Sequence, residues 1–279
     1  MKFVNKINNN VALAQDEHDV DWVLIGRGIG FGKEPGDPIT EDQIDRRFKA
    51  QKDEVTHQNP PAMLQHINPD TLQLATLVSD RVAERLGIHF SNYNYLALAD
   101  HIDFALERAK GDQDYPTELR WDVKNLFPKE YAAAQYALAL IQEQTGVKLP
   151  PSELTFFTYH FVSAQSDETL LEDTVEVANL ANRIIEIVSY SFQMQPDPTS
   201  LNYARFMTHL RYFIIRQLKG GSEEIALDPL IGEVVKERYP KAYQAAVKIA
   251  EYLHQSKGWT ISESEKMYLT LHIWRLTRE

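Results

Sequence analysis

Four histidines of this 279-residue chain are the first candidates for chemistry: His101, His160, His209 and His272. They pair off by position. His160 and His272 are 112 residues apart, and at that same offset Phe127-Pro128-Lys129-Glu130-Tyr131 faces Tyr239-Pro240-Lys241-Ala242-Tyr243, Gly146 faces Gly258, and Glu153 faces Glu265. His101 and His209 match with the offset reduced to 108. Imidazole titrates near neutral pH, binds metals and attacks as a nucleophile, so three uses stand open: metal ligand, acid–base catalyst, or acceptor of a phosphoryl group on nitrogen. The plain alternative at each position is a core or capping histidine. Common ancestry of the two copies explains the repetition without selecting a chemistry.

Metal and catalysis find little support in the spacing. Glu251-Tyr252-Leu253-His254 spells the E-x-x-H of di-iron bundles. The other match, Glu54-Val55-Thr56-His57, falls in a polar stretch ending at Pro60-Pro61, and the repeat position equivalent to His254 is Gln142, so the motif is not duplicated with the domain. No Ser-His-Asp constellation or carboxylate pair stands out. The chain has no cysteine, which excludes disulfides, thiolate metal sites and cysteine nucleophiles. A non-enzyme without metal or cofactor is expected.

A second cluster is Ile25 to Asp37, IGRGIGFGKEPGD, which holds five of the twelve glycines. As a Walker loop it fails twice, with Arg27 at the first glycine position and Glu34 at the magnesium-binding hydroxyl position. The dinucleotide fingerprint fails from Gly26, where Phe31 replaces the third glycine, and from Gly28, where Lys33 does. What remains is a glycine-rich strand and turn shaped for close backbone packing, or an RNA surface in which Arg27, Phe31 and Lys33 supply stacking and phosphate contacts. Residues 1–50 hold seven Lys/Arg against nine Asp/Glu, and the whole chain carries a net charge of −11. Charge taken alone argues against a broad electrostatic grip on nucleic acid, and any such contact has to be local.

The elements that position these residues change character along the chain. Asn5 to Ala14 and Asp21 to Ile29 are β-prone, separated by the polar Gln15-Asp16-Glu17-His18-Asp19, with Asn8-Asn9-Asn10 at a bend. This predicts a small antiparallel β unit, too small to be comfortable alone, for which sheet-against-sheet dimerisation is a route to burial. Lys49 to Pro61 reads as a linker. Amphipathic helices follow over Thr71 to Leu86 with Gly87 as C-cap, Tyr93 to Lys110, Lys129 to Gln144, and Glu153 to Ser163. The block from about 172 to 279 repeats this one, and a period of about 110 residues means a duplicated domain rather than a solenoid. With 43% hydrophobic and 25% charged residues the composition is that of a soluble globular protein. No apolar run suits a membrane span and the first residues lack a signal-peptide core, so a cytoplasmic location without membrane insertion is expected.

An N-terminal β module carrying INNNVALA and VLIGRGIGFGKEPGD, followed by two helical repeats with two histidines each, resembles the BglG/LicT family of transcriptional antiterminators over essentially the whole length. The resemblance implies a multidomain fold. It comprises a small all-β RNA-binding domain (1–55) with dimeric antiparallel sheets, a linker (56–66), and two all-α helical-bundle phosphotransferase-system regulation domains, or PRDs, at 67–170 and 171–279. It implies an RNA hairpin overlapping a terminator as ligand, with Asn8, Asn10, Gly26, Arg27 and Phe31 as RNA contacts. It also implies phosphorylation at His101, His160, His209 and His272, a homodimer, and HPr and a sugar-specific permease (enzyme II) as partners. Phosphorylation of the first PRD would inactivate and that of the second would activate. Some members carry lysine where this chain has Asn5, with Lys6 beside it. The reading from another class is a phosphohistidine-regulated protein whose β module binds a protein partner instead of RNA.

Overall fold

A computed structural model describes residues 1–49, 67–111, 123–165, 171–220 and 229–278. The linker expected at 56–66 lies outside the described residues. Two compact units divide the chain: Met1–Thr117 with Lys129–Leu170, and Glu118–Pro128 with Leu171–Glu279.

The first unit begins with a four-stranded antiparallel sheet, β1 (Lys2–Asn8), β2 (Val11–Gln15), β3 (Asp21–Ile25) and β4 (Arg46–Lys49), in sequential order. Asp16 shapes the β2–β3 turn: its Oδ1 accepts from the backbone N–H of His18 (2.8 Å) and Val20 (3.0 Å), and its Oδ2 from the Trp22 indole (2.9 Å). The fourth strand was not anticipated from the sequence, where a linker was expected from about Lys49. It pairs with β3 from Trp22↔Lys49 to Ile25↔Arg46.

Period-two alternation makes both faces of the sheet apolar. Phe3, Ala12, Ala14 and Leu24 point one way and are closed over by Ile29 and Ile39 of the segment that returns from β3. That segment runs beside β1, with Phe3 N–H donating to Asp37 O and Gly36 N–H to Phe3 O, both at 2.8 Å. Val11, Val23, Ile25 and Phe48 point the other way and belong to the same core as the helices that follow. Those helices are α1 (Pro69–Leu86) and α2 (Asn92–Lys110). Arg46 fastens the contact, reaching Ser79 Oγ (2.9 Å) and Asp80 Oδ1 (2.8 Å) with its guanidinium 4.4 Å from the Tyr95 ring centre. Burial that the sequence led us to seek in a second copy is supplied to this face by helices of the same chain.

Helix ends follow local rules. Asn68 caps α1 by accepting from Asp70 N–H (2.9 Å), and Gly87 ends it at φ 68°, a left-handed conformation open to glycine. Helices α4 (Pro128–Thr145) and α5 (Glu153–Ser163) complete the first repeat. In the second unit, α6 (Leu171–Phe192), α7 (Leu201–Leu218), α8 (Pro229–Arg238), α9 (Pro240–Lys257) and α10 (Glu263–Thr277) enclose a core that includes Ile184, Met207, Leu210, Ile249 and Ile273. The short α3 (Val123–Leu126) belongs to this unit, its Leu126 carbonyl accepting from Arg211 (2.9 Å).

Candidate RNA-facing loop and paired-histidine sites

The two asparagine and glycine motifs of the β module meet in space. The Asn8–Asn10 turn between β1 and β2 lies against the glycine-rich segment. Gly26 N–H donates to Asn10 O (3.0 Å), Gly30 N–H to Asn9 O (3.1 Å), and Gly28 N–H to Asn10 Oδ1 (2.8 Å). Asn8 Oδ1 accepts from Asn10 N–H (2.9 Å) and closes the turn. The oxygens of Asn8 and Asn10 therefore shape the loop, and their amide NH2 groups carry no hydrogen bond among the described residues.

Gly26 has a packing reason of its own, because a Cβ there would lie 1.9 Å from the Gln43 carbonyl oxygen. Gly28 has a conformational one, at φ 68° and held by Asn10. Around these fixed points two side chains turn outward. Phe31 is 73% exposed, and Arg27 is exposed without an ion pair or hydrogen bond among the described residues. Lys6, the base beside Asn5, lies next to Gly30 and donates to Asn9 Oδ1 (2.6 Å). The result is a rigid turn carrying one free aromatic ring, one free guanidinium and one ammonium.

Each helical repeat brings its two histidines together. In the first, His101 on α2 and His160 on α5 have ring centres 4.9 Å apart. Arg108 lies seven residues beyond His101, and Glu153 seven before His160, so each pair shares a helix face. The Glu153 carboxylate, 2% exposed, joins the two helices by accepting from His101 Nε2 (2.8 Å) and from Arg108. In the second repeat His209 on α7 and His272 on α10 lie closer, at 3.9 Å between ring centres and 33° between planes. Arg216 and Glu265 occupy the matching heptad positions and pair at 3.0 Å. Neither acid–base pair was singled out from the sequence, although the seven-residue spacing in both copies was there to be read.

Burial, with His101 beside it, keeps His160 well below the ordinary imidazole range. Burial also lowers His209, aided by Arg275, and lowers His272 to about 4, aided by His209 and Arg275. These three rings are held neutral and so retain the lone pair that a nucleophile or acceptor needs. Among the described residues no group of three or more His, Asp or Glu side chains could hold a metal ion, and no helix is long and apolar enough to cross a membrane.

A pH dependence follows for the second unit. Between the ordinary value of 6.5 and about 4, the unfolded chain binds a proton at His272 that the folded chain refuses. Stability is thus full above pH 6.5, falls as pH drops through this window, and gains no further penalty from this group below it. The ring is only half-buried, so solvent screening moderates the size. Urea midpoints measured from pH 7.5 to pH 4 should fall, and His272→Asn should make that decline shallower; an unchanged slope in the variant would remove His272 as its source.

Comparison with known proteins finds the same order of domains. The CAT RNA binding domain model matches residues 1–57, and the PRD domain model matches residues 78–164 and 182–276. A β-glucoside operon antiterminator of Dickeya chrysanthemi is 34% identical over 279 residues, covering 100% of this chain and 98% of its own. The transcription antiterminator LicT of Bacillus subtilis is 31% identical over 279 residues, covering 100% of both chains. A crystal structure of GlcT CAT-PRDI superposes with a TM-score of 0.51 at 30% identity, covering 59% of this chain and 98% of its own.

Proposed function

Because this chain belongs to the BglG/LicT family of transcriptional antiterminators, we propose that it binds an RNA hairpin overlapping a terminator in the leader of a sugar-utilisation operon, and that phosphoryl transfer to its histidines switches this binding. On this reading residues 1–55 are the RNA-binding domain and 56–66 the linker. The two regulation domains span 67–170 and 171–279. The carrying observation is the rigid turn that leaves Arg27 and Phe31 exposed and without another task. A base can stack on the Phe31 ring, Arg27 can hold phosphate or stack in turn, and the free amides of Asn8 and Asn10 can donate to base edges. Gly26 contributes from beneath by letting the turn close. Such a contact suits an acidic protein, because it relies on stacking rather than on bulk charge.

Regulation acts at the paired histidines, with HPr as donor for His209 and His272 and a sugar permease governing His101 and His160. A phosphoryl group brings close to two negative charges to a ring that was neutral or singly positive, by analogy with hydroxyl phosphates. In the first repeat it arrives on α2, whose Tyr95 packs 5.9 Å from Phe48 of β4 and beneath Arg46. A rigid helix thus connects the histidine to the sheet that two copies would pair to present one RNA surface. The protein acts in the cytoplasm and catalyses no reaction of its own.

The test is a gel shift of the full chain with a terminator-overlapping hairpin and a scrambled control. Preferential retardation of the hairpin supports the reading. Absence of binding to either at low salt sinks it and returns the β module to a protein partner.

A further inference from the structure

The two histidine pairs, built from the same ancestor, are held by opposite ring nitrogens. In the first repeat His101 Nε2 faces the Glu153 carboxylate at 2.8 Å, and Glu153 is also ion-paired to Arg108. An ionised carboxylate only accepts, so in the neutral ring it is Nε2 that carries the proton and Nδ1 that holds the lone pair. Among the described residues Nδ1 makes no hydrogen bond. In the second repeat it is Nδ1 of His209 that is engaged, 2.6 Å from the Tyr268 hydroxyl, and Nε2 makes no hydrogen bond among the described residues. Glu265, the counterpart of Glu153, is turned away: it accepts from Arg216 (3.0 Å), from Gln217 (2.5 Å) and from Ser262 N–H (3.2 Å).

Three differences between the copies explain the switch. Phe156 has become Tyr268, adding the hydroxyl that captures Nδ1. Ala109 has become Gln217, adding an amide donor for the carboxylate. Pro150 has become Ser262, which forms a capping box with Glu265 and holds its other oxygen. Each change withdraws Glu265 from His209 or gives His209 a new partner.

We propose that the two copies accept phosphate on opposite nitrogens, Nδ1 at His101 and Nε2 at His209, with Glu153 and Tyr268 as the positioning residues. This rests on the reading of both histidines as phosphoryl acceptors. In each case the free lone pair attacks the phosphorus of a protonated phosphohistidine on the donor protein. The new N–P bond forms as the donor's N–P bond breaks, and that electron pair returns to the donor ring, which leaves as neutral imidazole. The acceptor ring keeps its other proton: in the first repeat Nε2–H stays on Glu153, and in the second the step takes the tautomer in which Nδ1–H donates to the Tyr268 oxygen and leaves the Nε2 lone pair free. Attack from Nε2 of His101 would instead press phosphate oxygens onto a buried carboxylate of like charge.

The experiment charges the full chain with phosphoenolpyruvate, Enzyme I and HPr, with and without membranes containing sugar permeases, followed by alkaline digestion. Peptide mapping locates the phosphate, and isomer-specific antibodies or phosphorus NMR distinguish 1-phosphohistidine (Nδ1) from 3-phosphohistidine (Nε2). The expected result is 1-phosphohistidine at His101 and 3-phosphohistidine at His209, each in about tenfold excess or more, the weight of one hydrogen bond to a ring nitrogen. Tyr268→Phe keeps the ring and removes the hydroxyl, so 1-phosphohistidine should then appear at His209 as well. The same isomer at both sites, or an isomer ratio at His209 untouched by Tyr268→Phe, overturns the inference while leaving the regulatory reading standing. No phosphohistidine at either site overturns that reading and this inference with it.

Discussion

Phe31→Ala is expected to weaken binding of a terminator-overlapping hairpin by about tenfold to a hundredfold, within the ~1–3 kcal/mol that stacking on one base contributes, without moving the thermal transition. The two halves of this expectation have separate causes. The ring is 73% exposed, so its removal exposes no core and opens no cavity. Its backbone is fixed independently, by its own N–H donating to Gly28 O (2.9 Å) and, just ahead of it, by the Gly28–Asn10 and Gly30–Asn9 bonds. Gly26→Ala provides the contrast, because its Cβ would meet the Gln43 carbonyl and displace the turn itself. That variant should lose affinity and stability together. Anisotropy titrations at one fixed salt concentration, paired with calorimetry, separate the two. Unchanged affinity in Phe31→Ala would move the RNA off this loop.

Glu153→Ala should cost about 3–5 kcal/mol, the penalty for removing one partner from a buried ion pair. At roughly 2–4 °C per kcal/mol for a unit of 150–250 residues, the first unit's melting temperature should fall by about 6–20 °C. The substitution leaves Arg108 (12% exposed) and His101 (13% exposed) facing a hole where their shared acceptor stood. Glu265→Ala serves as the internal comparison and should cost less, because Arg216 is 27% exposed and can turn to water. Equal losses in the two variants, read by denaturant midpoints, would show that burial does not set the cost. A smaller effect of Glu153→Ala than of Glu265→Ala would reverse the ranking of the two sites.

Helix α1 shows how far sequence reading reaches. The apolar periodicity over 71–86 and Gly87 place it almost to the residue, because periodicity and capping are properties of neighbours along the chain. Strand β4 shows where it stops. Arg46-Arg47-Phe48-Lys49 carries three cations around one phenylalanine and has no strand pattern of its own. It becomes a strand because β3 offers an edge, Phe48 finds Tyr95, and Arg46 finds Asp80. Gly26 makes the same point, since the carbonyl that forbids a side chain there belongs to Gln43, seventeen residues away.

Residue order and type alone establish the two-copy architecture, the paired histidines, the failure of both nucleotide-binding grammars, and the glycine-rich turn beside an asparagine bend. All of these are statements about spacing and chemistry, and spacing survives without coordinates. Tertiary structure decided that Asn8 and Asn10 spend their oxygens on the loop, that one sheet face is buried under the chain's own helices, and that His101 and His209 are gripped by different nitrogens. The reason is scale. A hydrogen bond is made or lost within a few tenths of an ångström, and groups 18, 52 and 59 residues apart reach that range only after packing has brought them there.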